Sequence, residues 1–419
     1  MEGNNTQNNN ALNNNNNENE QKMQIDNYNT PGNDPELVNY YIKLENENNQ
    51  SQNNIKQSFL SKLSFCSEIS NDLDLRSSFS FSKYNKAPNV ILESEGNSTY
   101  MKSIIQLLAN VKHMSSYYLA EINKFKYHIK ETPISYYFSR IIFHFFPYPE
   151  NSLQKSFSLS TFQKIIKYYN MRFDSTSEKN PIEFLNYILN ILHGEDKRKR
   201  NNFNQIEDVV QNSNKKFKEY IQFLKNNEKS CILENFCWIN QEIKKCLTCN
   251  VEFIEYNKKF IYIINCEEIL KKALLNCNNK ISIFNCIKYQ TQKQKKKDNC
   301  KNCSKQSNFE VESLISISPQ YLILYLELND NKSNFGKIEI NKELLLYNIV
   351  KQEYSFNKYT LNGMIVKDLS NDKYFAHCCS PIRDKWYNYK EDSICEIKNE
   401  NLFELGSNIV PIILIYKAN

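Results

Sequence analysis

The segment LESEGNSTYMKS, which spans Leu92–Ser103, decides how this chain folds. After its polar first half, apolar residues recur at the spacing of one helix face. Ser98 or Thr99 suits the cap position of such a helix, because a side-chain oxygen there accepts a backbone N–H. The segment therefore predicts a loop that opens a helix. The apolar positions of this helix are Met101, Ile104, Ile105, Leu108 and Val111.

The same segment resembles the active-site box of ubiquitin-specific proteases, which reads approximately G-L-x-N-x-G-N-T-C-Y-M-N-S. This register places Thr99 at the position of the catalytic cysteine. In the family, the positive end of the helix lowers the pKa of that cysteine. A threonine hydroxyl gains almost nothing from the same field, so the resemblance implies that the reactive thiol is missing. The matching residues are Gly96, Asn97, Tyr100, Met101 and Ser103.

A second segment, EKNPIEFLNYILNILHGE at residues 178–195, is similar to a helical box of that family, Q-Q-D-A-x-E-F-L-x-x-L-L-D-x-L-H-E. Glu178 replaces the first glutamine and Asn180 replaces the aspartate. Pro181 suits the first turn of a helix, and the apolar spacing predicts an amphipathic helix after it. The matching residues are Glu183, Phe184, Leu185, Leu192 and His193.

From about Phe236 the pattern changes to short β-type runs, including VEFIEY, KFIYII and ISIFN. The closing residues, SNIVPIILIYKAN, are similar to the last strand of the family, so matches extend from Leu92 to Tyr416. Helices followed by an antiparallel sheet predict the α+β class. A longer run, FEVESLISISPQYLILYLEL, resembles the family strand x-x-x-P-x-x-L-x-L-x-L-K-R-F through Pro319, Leu322, Leu324 and Leu326.

The resemblance implies a papain-like fold with a helical thumb, an antiparallel-sheet palm and zinc-stapled β fingers at about residues 236–320. We assign residues 86–419 to this domain. Residues 1–85 are rich in asparagine, so they offer little apolar surface to offset the entropy of ordering. We predict a disordered, low-complexity leader there.

The net charge is +6 over 419 residues, without a continuous basic stripe interleaved with aromatic residues. We therefore predict no nucleic-acid partner. Two basic runs are exceptions, and for Lys197–Arg200 a solvated loop is favoured over a nuclear-import signal. The other run is Lys293–Lys297. The N-terminus lacks signal-peptide features and the apolar runs are too short to cross a bilayer, so we expect a cytoplasmic or nuclear protein without membrane contact.

Two C-x2-C units stand far apart in the chain, Cys246 with Cys249 and Cys300 with Cys303. In a reducing compartment, such paired spacing indicates a metal more readily than a disulfide. Two units can present four thiolates to one zinc ion in tetrahedral geometry. The spacing predicts a structural zinc site, and the resemblance implies the same, because the fingers of the family carry one.

Cleavage of an isopeptide bond by a thiol requires a thiolate, a base, a group that orients the base, and a donor to the oxyanion. The resemblance places Thr99 at the nucleophile and Ser94 at the oxyanion asparagine. The G-H-Y motif of the family aligns with DKY, which puts Lys373 at the histidine. The motif W-x-x-F-D-D aligns with WYNYKE, which puts Lys390 and then Glu391 at the acids. At all four catalytic positions this chain has a residue type different from that of the family, so the resemblance implies that the catalytic activity has been lost.

The leading hypothesis is a pseudo-deubiquitinase that binds ubiquitin or another partner protein through the retained framework. A second hypothesis is an active deubiquitinase in which Thr99 acts with a neutral Lys373, although Glu391 favours the charged lysine. A third is a protein-interaction scaffold that does not bind ubiquitin.

Overall fold

The computed structural model describes residues 90–146, 156–197, 215–273, 280–328, 337–347, 356 and 358–419. These residues belong to one structural unit, Asn71–Asn419. The predicted leader at 1–85 and most of the basic run Lys197–Arg200 lie outside the described residues. Within the described ranges, no helix combines the length and the apolar character needed to cross a membrane.

The first half of the described chain is mainly helical, as the apolar spacing predicts. Its helices are α1 (Thr99–Ala109), α2 (Lys112–Ala120), α3 (Ile122–Tyr127), α4 (Pro133–Phe145), α5 (Ser160–Tyr169), α6 (Pro181–Asp196), α7 (Lys215–Asn227) and α8 (Cys231–Phe236). Two short strands, β1 (Ile91–Glu93) and β2 (Ser156–Ser158), pair in parallel beside them.

Helix α6 forms where the second sequence box predicts it. Pro181 occupies its first turn, where a missing N–H costs nothing. Asn180 caps the helix by accepting a hydrogen bond from the backbone N–H of Ile182 at 3.1 Å. One apolar face is buried, through Phe184, Leu185, Ile188, Leu189 and Leu192.

The second half builds a large sheet with the strand order β15-β14-β13-β12-β16-β9-β5, and β11 pairs with β12. We call this sheet the palm. Its strands are β5 (Ile261–Asn265), β9 (Tyr321–Glu327), β11 (Glu343–Leu345), β12 (Lys358–Asp368), β13 (Lys373–Cys379), β14 (Trp386–Tyr389), β15 (Ile394–Ile397) and β16 (Ile409–Ala418). The pairing is antiparallel as predicted, except that β5 runs parallel to β9.

Helix α1 is buried along its whole length, because α6 packs on one side of it and strand β13 on another. It also approaches β12 at Gly363, where a Cβ atom would lie 2.6 Å from Leu107 Cδ1. The absence of a side chain at this position lets helix and sheet come together. This close approach lies near the end of α1 and beside the end of β13, where Gly363 pairs with Cys378.

A separate antiparallel sheet with the order β4-β3-β8-β7 extends from the domain, and we call it the fingers. Each outer strand is joined to its inner neighbour by a tight turn that contains one cysteine pair. The strands are β3 (Trp238–Cys246), β4 (Glu252–Lys259), β7 (Gln294–Asn299) and β8 (Gln306–Ile317).

The prediction of a strand at ISIFN is wrong. Only Ile281–Ser282 form a short strand, β6, which pairs in parallel with β10 (Ile338–Glu339). Helix α10 (Ile283–Thr291) follows β6 at once. Ser282 caps this helix by accepting a hydrogen bond from the backbone N–H of Asn285 at 3.2 Å. Five residues are too few to reveal helical spacing, which appears only over the longer segment. The buried face consists of Ile283, Cys286 and Ile287. A further helix, α9 (Cys266–Ala273), follows β5 directly.

Candidate functional site

The loop before α1 is held by backbone contacts. Gly96 has a φ of +63°, and a Cβ atom there would lie 2.2 Å from the carbonyl oxygen of Ser175. The backbone N–H of Asn97 donates to the same carbonyl at 2.9 Å. Inside the loop, the Ser98 hydroxyl donates to Ser94 Oγ at 2.7 Å. Ser94, the residue at the predicted oxyanion position, is therefore engaged within its own loop.

Thr99 is the first residue of α1 and is 4% exposed. Its Oγ1 accepts a hydrogen bond from the backbone N–H of Tyr374 at 2.9 Å. Because Tyr374 follows Lys373 in β13, this bond brings the predicted nucleophile and base positions together where the start of α1 meets the start of β13, and we call this place the cleft. The Thr99 hydroxyl is thus held between helix and sheet.

The first amides of α1 are capped by a carboxylate from a distant loop. Glu178 Oε1 accepts the N–H of Thr99 at 2.9 Å, and Glu178 Oε2 accepts the N–H of Tyr100 at 3.2 Å. Ser98 stands at the cap position but makes no side-chain hydrogen bond to the helix. The sequence predicts Ser98 or Thr99 as the cap, whereas Glu178 supplies it. A carboxylate suits this place because the helix dipole is positive there.

Lys373 forms an ion pair with Glu391. The hydrogen bond and charge of Glu391 raise the pKa of Lys373, and the same contact lowers the pKa of Glu391. Both groups are therefore charged at neutral pH. A charged ammonium has no lone pair with which to accept a proton.

Lys390, aligned with the orienting acid, lies elsewhere. It is exposed, and its Nζ stands 5.9 Å from the centre of the Phe375 ring. The next residue, Glu391, is the one that reaches Lys373. His377, further along β13, is buried beside the same ring, and burial lowers its pKa to about 4, with a smaller effect from Lys390.

Lys102 lies one turn after Thr99 in α1 and is only 7% exposed. Burial lowers its pKa, while the charges of Glu391 and Asp392 act in the opposite direction. A cation in the first turn of a helix opposes the helix dipole. The carboxylates nearby compensate this charge, so the end of the cleft is a cluster of opposite charges.

The two cysteine turns of the fingers have the same backbone geometry. The N–H of Asn250 donates to the Cys246 carbonyl at 2.9 Å, and the N–H of Ser304 donates to the Cys300 carbonyl at 2.8 Å. Asn250 and Ser304 both adopt positive φ, at 59° and 53°. The turns bring four sulfur atoms within 4.8 Å of one another, those of Cys246, Cys249, Cys300 and Cys303.

These sulfurs fit a metal ion in spacing and in chemistry. Four sulfurs at about 2.3 Å from one zinc ion lie roughly 3.8 Å apart, and Cys249 Sγ stands 3.6 Å from Cys300 Sγ. Burial raises the pKa of Cys246, but hydrogen bonds from the backbone amides of Cys249 and Thr248 outweigh it and lower that pKa to about 6. At Cys300 the amide of Cys303 also lowers the pKa, but burial and the side-chain contacts with Cys303 and Cys246 outweigh it and raise that pKa to about 11. Amides that stabilise a thiolate are what a metal-binding sulfur needs.

A family model described as ubiquitin carboxyl-terminal hydrolase matches residues 91–416. The chain belongs to the ubiquitin carboxyl-terminal hydrolase family. A comparison with curated protein sequences gives no match. The match covers every cleft residue described above and both cysteine turns, so the fold and the cleft are those of a ubiquitin carboxyl-terminal hydrolase domain.

Solved structures of the SAGA deubiquitinating module are similar in fold. The Ubp8/Sgf11/Sus1/Sgf73 module bound to ubiquitin aldehyde has a TM-score of 0.57 at 15% identity, covering 80% of this chain and 71% of that chain. A module with a Ubp8 variant bound to monoubiquitin has a TM-score of 0.57 at 15% identity, covering 87% and 75%. The yeast module with an Sgf73 variant has a TM-score of 0.56 at 16% identity, covering 80% and 70%.

Sequence reasoning gave no role to two residues of this hydrolase-family cleft, Glu178 and Lys102. Both put a charge where the sequence boxes have a neutral residue, a glutamine for Glu178 and an asparagine for Lys102. A charged residue at a position where the family box has a neutral one is the sequence signal that points to Glu178 and Lys102. The partner of each charge lies far away in sequence, so only the structure connects them.

Proposed function

We propose that this member of the family binds ubiquitin without cleaving it. The observation that carries the absence of cleavage is the ion pair between Lys373 and Glu391. Because Glu391 raises the pKa of Lys373, that residue does not serve as a neutral base for Thr99. An alcohol without a base is a poor nucleophile, and the Thr99 hydroxyl already accepts the N–H of Tyr374.

Retained ubiquitin binding is supported by family membership and by the fold. Similar folds bind ubiquitin aldehyde and monoubiquitin in the Ubp8 modules. The chain also has a groove of about 390 Å³ between the fingers and the palm, lined in part by Trp238, Asn240, Tyr262 and Tyr289.

We also propose that the four cysteines hold a structural zinc ion. The spacing of the sulfurs and the amide hydrogen bonds to Cys246 support this assignment. When bound, zinc ties the two turns of the fingers together and has no open position for a substrate. Its role is to stabilise the fingers.

Titration of the purified protein with fluorescently labelled ubiquitin whose C-terminal glycine is converted to a methylamide tests the binding proposal. We expect saturable binding. Ubiquitin that lacks its two C-terminal residues is expected to bind more weakly, because the tail is the part that would approach Thr99. A signal that never saturates contradicts the proposal and favours a scaffold that does not bind ubiquitin.

Incubation with ubiquitin that carries a fluorogenic C-terminal amide tests the absence of cleavage. We expect no turnover above that of Thr99→Ala. Thr176→Ala is a matched control, because Thr176 is an exposed threonine in the neighbouring loop. Turnover that disappears in Thr99→Ala and persists in Thr176→Ala would establish instead an active Thr99–Lys373 enzyme.

A further inference from the structure

The amide donors at the start of α1 are already occupied. Glu178 accepts the N–H groups of Thr99 and Tyr100 at 2.9 and 3.2 Å. These are the first N–H groups of an eleven-residue helix, where the dipole and the free donors attract an anion. The protein therefore places its own carboxylate at the position of strongest attraction for a negative group.

The surrounding charges leave little attraction for a second anion. Three carboxylates, those of Glu178, Glu391 and Asp392, face two ammonium groups at this end of the cleft. Lys373 is paired with Glu391. Lys102 lies among the same carboxylates, whose charges act on its pKa. An incoming carboxylate would meet more negative than positive groups.

Thr99 stands at the nucleophile position of the family, so the part of a ubiquitin ligand that would lie beside it is the end of the C-terminal tail. In hydrolases that form an acyl intermediate, a backbone N–H at the nucleophile binds the oxygen of the attacked carbonyl. At the Thr99 position that donor is taken by Glu178. The end of a ubiquitin tail would therefore lie beside a carboxylate, which accepts hydrogen bonds and repels negative charge.

We propose that Glu178 makes the cleft selective for ubiquitin whose C-terminus is joined in an amide bond, and that it weakens the binding of ubiquitin with a free C-terminal carboxylate. A conjugated tail ends in a neutral amide, whose N–H can donate to Glu178. A free tail ends in a carboxylate, which offers only acceptors and a like charge. Specificity of this kind comes from a repulsive element as much as from an attractive one. The inference rests on the proposed binding of ubiquitin.

Equilibrium titration of the wild-type protein with two ligands tests this inference. One ligand is ubiquitin with its free carboxylate, and the other is ubiquitin whose terminal glycine is converted to a methylamide. We expect the methylamide form to bind at least about tenfold more tightly, which corresponds to roughly 1.4 kcal/mol. This comparison uses the native chain, so it does not depend on the folding of any variant.

Glu178→Gln, which restores the glutamine of the family box, is expected to reduce the preference to less than about twofold. Glu195→Gln is the matched control. Glu195 caps α4 in the same way, accepting the N–H groups of Ile134 and Ser135 at 3.2 and 2.7 Å. Both variants lose a helix cap of the same kind, but only Glu178→Gln removes the charge at Thr99. Glu195→Gln should keep the wild-type preference.

The outcomes separate the inference from the proposed function. Equal affinities of the wild-type protein for the two ligands overturn the inference and leave ubiquitin binding intact. A preference that survives in Glu178→Gln overturns the role of Glu178. Failure of the wild-type protein to bind either ligand contradicts the proposed function, and the inference fails with it.

Discussion

The fingers and the cleft are both assembled from segments that are distant in sequence, but they differ in what they keep. In the fingers, all four cysteines implied by the resemblance are present, and their sulfurs lie within 4.8 Å of one another. In the cleft, the framework positions Gly96 and Tyr100 are kept, while the nucleophile and base positions hold Thr99 and Lys373. The cleft thus combines framework residues of the family boxes with other residue types at the positions aligned with the reacting groups.

Stability explains why the two regions can differ. A small sheet such as the fingers has little apolar core, with one cluster around Phe309 and Val311 beside the cysteines. The metal cross-link that we propose would contribute to folding there. The reacting groups of a cleft contribute to chemistry and little to stability. A protein that only binds its partner can therefore lose the reacting groups of the cleft and still require the cysteines of the fingers.

The largest expected effect is the loss of the metal site. Cys300→Ser removes one of the four sulfur ligands, so it should release zinc. Without the metal the two turns are no longer linked, and the free energy of unfolding should fall by several kcal/mol. Elemental analysis of the purified protein and its urea unfolding curve measure both quantities. Cys395→Ser is the control, because Cys395 is an exposed free thiol. Wild-type protein that purifies without zinc, or zinc-loaded wild type with the same unfolding midpoint as Cys300→Ser, would contradict a structural metal site in the fingers.

Local sequence signals predicted the parts of the molecule that fold by local rules. The helical spacing after Thr99, the Pro181 start of α6 and the paired cysteine turns all appear where they were expected. The α1 cap was missed because Glu178 is 79 residues from Thr99 in sequence. Such a contact depends on tertiary packing, which no window of neighbouring residues contains.

The strand predicted at ISIFN failed for a related reason. Short apolar runs fit a strand and a buried helix equally well, and the Ser282 cap decides in favour of the helix. The orienting position is similar. Alignment of WYNYKE places Lys390 and Glu391 at the two acid positions, and the side chain that reaches Lys373 is that of Glu391. Both residues follow the end of β14, where the chain turns towards β15, so alignment along the strand does not fix which of the two side chains points at Lys373.

A smaller effect is expected from the framework of the cleft. Gly96→Ala should lower the free energy of unfolding by about 1–3 kcal/mol, because φ is +63° and the new Cβ would meet the Ser175 carbonyl. Gly194→Ala is the matched control. No atom lies within 4 Å of a Cβ there, and Gly194 stands inside helix α6. That variant should gain up to about 1 kcal/mol. Thermal unfolding measures both, and equal effects would mean that the loop is not fixed at Gly96.

The smallest expected effect concerns the charged pair of the cleft. The side chains of Lys373 and Glu391 are 44% and 39% exposed, so Glu391→Gln should cost less than about 1 kcal/mol at neutral pH. The pKa of Glu391 is lowered in the folded protein. Its contribution is therefore present above the ordinary glutamate pKa of about 4.3 and is lost as pH falls through the lowered value.

Urea unfolding at neutral pH and below about pH 4 measures this difference between wild type and Glu391→Gln. Glu396→Gln, which breaks the comparably exposed pair with Lys385, provides the reference for an ordinary surface pair. A difference of several kcal/mol at neutral pH that persists in acid would contradict a screened ion pair. It would mean that the cleft depends on Glu391 for its shape, as the fingers depend on their cysteines, and that the reactive positions were replaced by structural ones.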